Sequence, residues 1–221
     1  MKKYLAEFIG TFTLIFCGTG AIVVNQQFGG AISHVGVCLV WGAIVSCIIF
    51  ALGDVSGAHI NPAVTIGFWI ARRFPAREIA PYILSQIAGG IAASGTLHFL
   101  FPENKFLGGT YPAGSEMQSF IIEFLLTFFL MFLVIQVSTG AKEKGMFAAL
   151  AIGSLVMLEA MFAGPVSGDS TNPMRSLAPA IVSGHFEHLW IYLTAPFLGS
   201  AFAILIWHVL KEEAPKPPKG A

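Results

Sequence analysis

The chain has 221 residues, 55% of them hydrophobic and 11% charged, and its 12 basic and 12 acidic side chains cancel. So much apolar surface cannot be wrapped inside one aqueous domain, which excludes an ordinary soluble fold and makes lipid the expected solvent. The neutral balance supplies no basic face for a phosphate backbone, so no nucleic-acid partner is expected.

Crossing a hydrocarbon core of about 30 Å takes roughly 20 apolar residues, and six segments qualify, near 4–25, 33–53, 79–100, 118–138, 146–163 and 188–210. The opening MKKYLAEFIG has the lysines and apolar run of a secretory signal. Glu7 interrupts that run and five further spans follow, so a retained first helix is predicted. Cys17, Cys38 and Cys47 all fall within spans, the last two nine residues apart on one helix and beyond bridging distance. All three are expected as small buried apolar side chains.

Short loops rich in Lys and Arg stay in the cytoplasm. Lys2, Lys3, Arg72, Arg73, Arg77, Lys142, Lys144, Lys211, Lys216 and Lys219 fall on one side, and only Lys105 lies in the loops of the other. Both termini are therefore expected in the cytoplasm, with the plasma membrane as the site. Residues 1–211 read as one channel-forming domain, and 212–221, polar and Pro-rich, as a disordered cytoplasmic tail.

Between the spans lie two similar segments, SGAHINPAVTI from Ser56 and SGDSTNPMRSL from Ser167, at an offset of 111. The likeness extends further. Glu7, Phe8, Thr11 and Phe12 recur as Glu123, Phe124, Thr127 and Phe128, and Tyr82 and Gly89 as Tyr192 and Gly199. Repeats of about 4–100 and 118–210 each hold three crossings, an odd number, so the second copy is inverted relative to the first.

Inversion determines what the Asn-Pro segments do. Proline is tolerated at a helix's first position, so Asn61 and Asn172 each open a helix inside the membrane. Residues 61–70 and 172–182 make about 15 Å of helix, half the hydrocarbon thickness, so two half-helices enter from opposite sides and meet at the midplane. The loops before them, Gly57, Ala58, His59 and Ile60 in one copy and Gly168, Asp169, Ser170 and Thr171 in the other, become extended backbone at membrane depth. Such backbone is tolerated only when buried in protein or lining a cavity. Arg175 lies about 4.5 Å from the midplane by this count, where an arginine faces water or a partner; snorkelling to the surface is the alternative.

This all-α architecture, six transmembrane helices with two re-entrant half-helices in an inverted 3+3 repeat, resembles the aquaporin or major intrinsic protein family over roughly residues 3–211. Within that family LVWGAIV around Trp41, SGTLHFLF from Ser94, QSFIIEFLLTFFLMF from Gln118 and AGPVSG from Ala163 are similar to the nodulin-26-like branch. The resemblance implies a homotetramer with one pore per subunit, no cofactor, no metal and no catalysis. It also implies a selectivity filter toward the outer mouth made by Trp41, Ala160, Asp169 and Arg175. Trp41 would be an apolar wall, Arg175 a fixed donor and Ala160 open space. Alanine stands where water-strict members typically carry histidine, so the expected solutes are water and small uncharged molecules: glycerol-like polyols and metalloid hydroxides such as arsenous or boric acid.

A neutral solute crossing a narrow apolar tube needs sparse hydrogen-bonding groups that replace its hydration. Loop carbonyls and the amides of Asn61 and Asn172 offer them, the asparagines also serving as helix caps. Trp41 has an alternative reading as an interfacial anchor. Glu7 and Glu123 are either interfacial carboxylates or buried acceptors for the N–H groups of the two loops, and their recurrence in register favours the second. Asp169 is expected to pair with Arg175, Met174 to place a thioether beside Arg175 or against a neighbouring helix, and Glu159 to sit solvated near the outer end of the fifth span. A strict water pore is the runner-up. An ion-coupled transporter would need an ion site at depth, and an enzyme a nucleophile or metal cluster around His59; the sequence provides neither.

Overall fold

The computed structural model describes residues 1–138 and 147–210, and among these the chain is helical with no strand. The α-helices are α1 (Lys2–Gln27), α2 (Ser33–Ser56), α3 (Pro62–Ile70), α4 (Ile79–Leu100), α5 (Glu116–Ser138), α6 (Ala148–Ser167), α7 (Pro173–Ser183) and α8 (Leu189–Leu210), with a 3-10 turn, Ala76–Glu78, leading into α4. All but α3 and α7 are long and apolar enough to cross a membrane. The expected tail, with Lys142, Lys144, Lys211, Lys216 and Lys219, lies outside the described residues.

Helices α2 and α6 overrun their expected ends by three and four residues. They continue past 53 and 163 to Ser56 and Ser167, through Asp54 in one and Pro165 in the other. Each stops at a glycine in the left-handed conformation, Gly57 at φ 83° and Gly168 at φ 86°, whose N–H closes the last turn on Gly53 O or Gly164 O. A left-handed residue is a common helix terminator that glycine adopts without steric penalty.

Burial runs opposite to that of a soluble protein. Glu7, Thr11, Gln86, Glu123 and Thr127 are wholly buried, whereas Phe50, Leu84, Phe99 and Phe162 are more than 60% exposed. An outer surface of hydrocarbon suits lipid, and polar groups turn inward because lipid offers them no hydrogen bonds. Cys47 belongs to the exposed face and Cys17 is half-buried, so only Cys38 fits the expectation of burial; all three are free thiols.

Lipid tails are as apolar as leucine, so helices associate through close contact rather than hydrophobic exclusion. The closest crossings recur in both repeats. A Cβ on Gly89 of α4 would lie 2.3 Å from Phe8 O of α1, and one on Gly199 of α8 would lie 2.3 Å from Phe124 O of α5. Helices α2 and α6 cross at Gly42 and Gly153, where Ser46 Oγ donates to Ala149 O at 3.0 Å. These contacts leave a central space that α3 and α7 enter.

Candidate functional site

Asn61 and Asn172 cap α3 and α7 with their Oδ1 atoms, accepting from Ala63 N at 2.8 Å and Met174 N at 3.0 Å, and a proline follows each as the first helical residue. Their amides also tie the two halves together. Asn61 Nδ2 donates to Thr171 O and Asn172 Nδ2 to Ile60 O, both at 2.9 Å. Each amide has a second N–H, and both asparagines line the central cavity.

The loops before the half-helices are not extended, contrary to expectation. Ala58 and Ile60 have φ of 46° and 45°, and Asp169 and Thr171 have 45° and 49°. A change of hand between neighbouring residues turns successive N–H groups to one side, where an anion can collect them. The anion is a glutamate in each case. Glu7 accepts from His59 N at 2.9 Å, Ile60 N at 2.7 Å, Ser56 Oγ at 2.7 Å and Gln86 Nε2 at 2.8 Å. Glu123 accepts from Ser170 N at 2.9 Å, Thr171 N at 2.8 Å and Ser167 Oγ at 2.7 Å. Tyr82 OH and Tyr192 OH bind Ser56 O and Ser167 O, completing the symmetry.

A cavity of about 120 Å³ runs through the centre. Ser138 and Ala148 line one end, His59, Ile60, Asn61, Thr171 and Asn172 its middle, and Trp41, Asp169 and Arg175 the other end. Gly57, Ala58 and Ser170 also line it; Gly168 does not, and its carbonyl accepts from Arg175. Ala160 is buried one helical turn beyond the lining residue Val156, in the same apolar cluster as Trp41, and contributes no wall to the cavity. His59 stacks on Phe68 at 4.8 Å with Nδ1 3.2 Å from Thr65 Oγ1, which shapes the loop.

Arg175 is 2% exposed and does not snorkel. Its Nη1 donates to Gly108 O at 2.6 Å, Nη2 to Gly168 O at 3.4 Å, and its Cζ lies 4.9 Å from the centre of the Trp41 ring. The expected ion pair with Asp169 is therefore absent: the described ion pairs involve Glu78 and Glu116, and Gly108 holds the guanidinium instead. Glu159 also departs from expectation. It is 5% exposed rather than solvated, on the α6 face that buries Val156 and Ala163. Met174 is buried and outside the cavity lining, which leaves the neighbouring-helix alternative.

The sequence reading missed the 101–115 connection. Besides Gly108 it supplies Thr110, whose Oγ1 meets Ser176 Oγ at 2.7 Å; Ser176 in turn meets Ser170 Oγ at 2.7 Å. The Gly108–Gly109 pair was the available signal: a Cβ on Gly108 would lie 2.8 Å from Thr19 O.

Paired half-helices around a central cavity, inside a bundle of membrane-crossing helices, define a multi-pass membrane channel. The chain matches the major intrinsic protein model over residues 1–207. It is 42% identical over 212 residues to nodulin-26 of Glycine max, covering 96% of this chain and 78% of that protein. Aquaporin NIP1-1 of Oryza sativa subsp. japonica is 41% identical over 212 residues, covering 96% and 75%. The X-ray structure of the aquaglyceroporin from Plasmodium falciparum superposes with a TM-score of 0.83 at 26% identity, covering 95% of this chain and 96% of that one. This chain belongs to the major intrinsic protein family, whose aquaporin-type members are non-enzymatic channels.

Proposed function

We propose that the protein is a passive pore for water and small uncharged solutes, glycerol-like polyols and metalloid hydroxides among them, and that it excludes ions and protons. The observation that carries this reading is the cavity passing both asparagines between the N-termini of α3 and α7. Each N-terminus carries roughly half a positive charge, and an ion entering the tube loses hydration that sparse acceptors do not replace. Exclusion of protons and cations by half-helix dipoles and an arginine is a general feature of aquaporin-type pores.

The filter of this reading is formed by Trp41, Asp169 and Arg175 at the cavity wall, with Ala160, small and apolar, adding no bulk to it. Glu7 and Glu123 hold the loops whose carbonyls conduct the solute. The basic face carrying Lys2, Lys3, Arg72, Arg73 and Arg77 is the cytoplasmic one, in the plasma membrane, and the channel is a homotetramer.

The test is light scattering from proteoliposomes under osmotic shock, with water, glycerol and neutral arsenous acid compared. All three are expected to enter faster than into protein-free vesicles, with no proton current. Fast water flux without entry of either solute would leave a strict water pore instead.

A further inference from the structure

Helix α3 ends differently from its counterpart in the other repeat. Arg72 N donates to Trp69 O at 2.9 Å and Arg73 N to Phe68 O at 2.8 Å, the pair of bonds that closes a helix around a residue in the left-handed conformation. That residue is Arg72, at φ 58°. Helix α7 instead ends on Gly184 at φ 78°, and α2 and α6 end on Gly57 and Gly168. Glycine adopts this conformation without steric penalty and arginine does not. The chain thus keeps a guanidinium where the backbone prefers glycine, and strain of this kind collects at ligand-binding positions. Orientation in the membrane does not demand it, because that depends on how many basic residues a connection carries and not on which one takes the left-handed position.

The surroundings leave this charge unanswered. Arg72 shares its face of the molecule with Lys2, Lys3, Arg73 and Arg77, against Asp54 and Glu78 among the described acids. Glu78 is already taken by Lys3 Nζ and Tyr4 OH, both at 2.8 Å, and the described ion pairs include neither Arg72 nor Arg73. Arg73 lies with its Cζ 5.9 Å from the centre of the Trp207 ring, which seats the end of α3 against the last turns of α8. Trp69 and Ile70, in the turn before the arginines, are exposed, as are Leu205 and Val209 of α8. Exposed arginines therefore border exposed hydrocarbon. The connection after α7, GHFEH over 184–188, has no Lys or Arg.

We infer that the end of α3 is a binding site for one anionic phospholipid, with Arg72 and Arg73 holding the headgroup phosphate and Trp69 and Ile70 meeting the top of an acyl chain. A guanidinium presents a planar fork of N–H donors that matches a phosphate with two parallel hydrogen bonds. Arg77, exposed a few residues on, adds positive potential. A cluster of basic side chains at the membrane surface attracts anionic lipid, and a zwitterionic headgroup would bring a second cation into it. The apolar border distinguishes a lipid from free phosphate, which has nothing to set against Trp69 and Ile70. The site does not depend on which solutes the pore conducts.

The experiment takes the full chain in uncharged detergent and reads its unfolding temperature, as loss of helical circular dichroism, with phosphatidylglycerol, phosphatidylcholine or inorganic phosphate added. A ligand present at a hundred times its Kd raises the transition of a chain this size by about 5 °C. Phosphatidylglycerol should do so, and the other two should not. Arg72→Gly removes the guanidinium and relieves the backbone, so without lipid it should unfold no lower than wild type, yet lose most of the shift that phosphatidylglycerol gives. Arg73→Gln should bind that lipid about tenfold more weakly. Lys2→Gln, which removes the same charge elsewhere on this face, should keep the wild-type shift. The inference is overturned by equal shifts from the two lipids, by an equal shift from inorganic phosphate, or by wild-type shifts in both arginine variants. A loss in Lys2→Gln as large as in Arg72→Gly overturns it too, since diffuse surface charge would then account for the binding.

Discussion

Glu7 and Glu123 show how single side chains hold up irregular backbone inside a membrane. Glu7 gathers four donors and Glu123 three. Each donor stranded without water costs about 1–3 kcal/mol. Glu7→Ala and Glu123→Ala should both unfold at lower temperature than wild type in detergent, with Glu7→Ala the lower of the two, measured as loss of helical circular dichroism on heating. Equal transitions in all three proteins would contradict this. Both glutamates could be found in the sequence because they recur in register at an offset of 116. Gln86 could not, because its counterpart is Pro196 and the repeat gives no sign of it.

At the scale of elements, α3 and α7 announce themselves through Asn-Pro, while helix–helix distance is set by glycines whose recurrence, as with Gly42 and Gly153 at an offset of 111, does not say what they touch. A Cβ on Gly153 would lie 2.0 Å from Ser46 Oγ and 2.4 Å from Gly42 O, so a side chain there forces α2 and α6 apart. Gly153→Val is expected to cost more than the about 1–3 kcal/mol of ordinary overpacking. It should lower both the yield of monodisperse protein and its unfolding temperature. Gly95→Ala, with nothing within 4 Å of its new Cβ, should behave as wild type. Size-exclusion profiles after stepwise heating separate the two. The ends of α2 and α6 were misplaced in the sequence for a related reason. Hydropathy falls before either helix stops, whereas termination belongs to the backbone conformation of Gly57 and Gly168.

For the whole molecule, orientation follows from charge. Lys105 and Arg77 are both exposed, in connections on opposite faces. In a chain with Cys17, Cys38 and Cys47 replaced by serine, Lys105→Cys should react with a membrane-impermeant thiol reagent added to intact cells. Arg77→Cys should react only after permeabilisation; the reverse pattern would invert the topology. The solvent, the six spans, the two half-helices and their inversion were all legible without coordinates, because each depends on local composition or on recurrence in register. Only the tertiary structure decided that Asn61 and Asn172 bind across to the opposite loop, that Gly108 takes the guanidinium Asp169 was expected to hold, and that Glu159 is buried. The first two turn on groups 67 to 112 residues apart meeting in space, and the third on which face of α6 packs inward; neither is encoded by spacing along the chain.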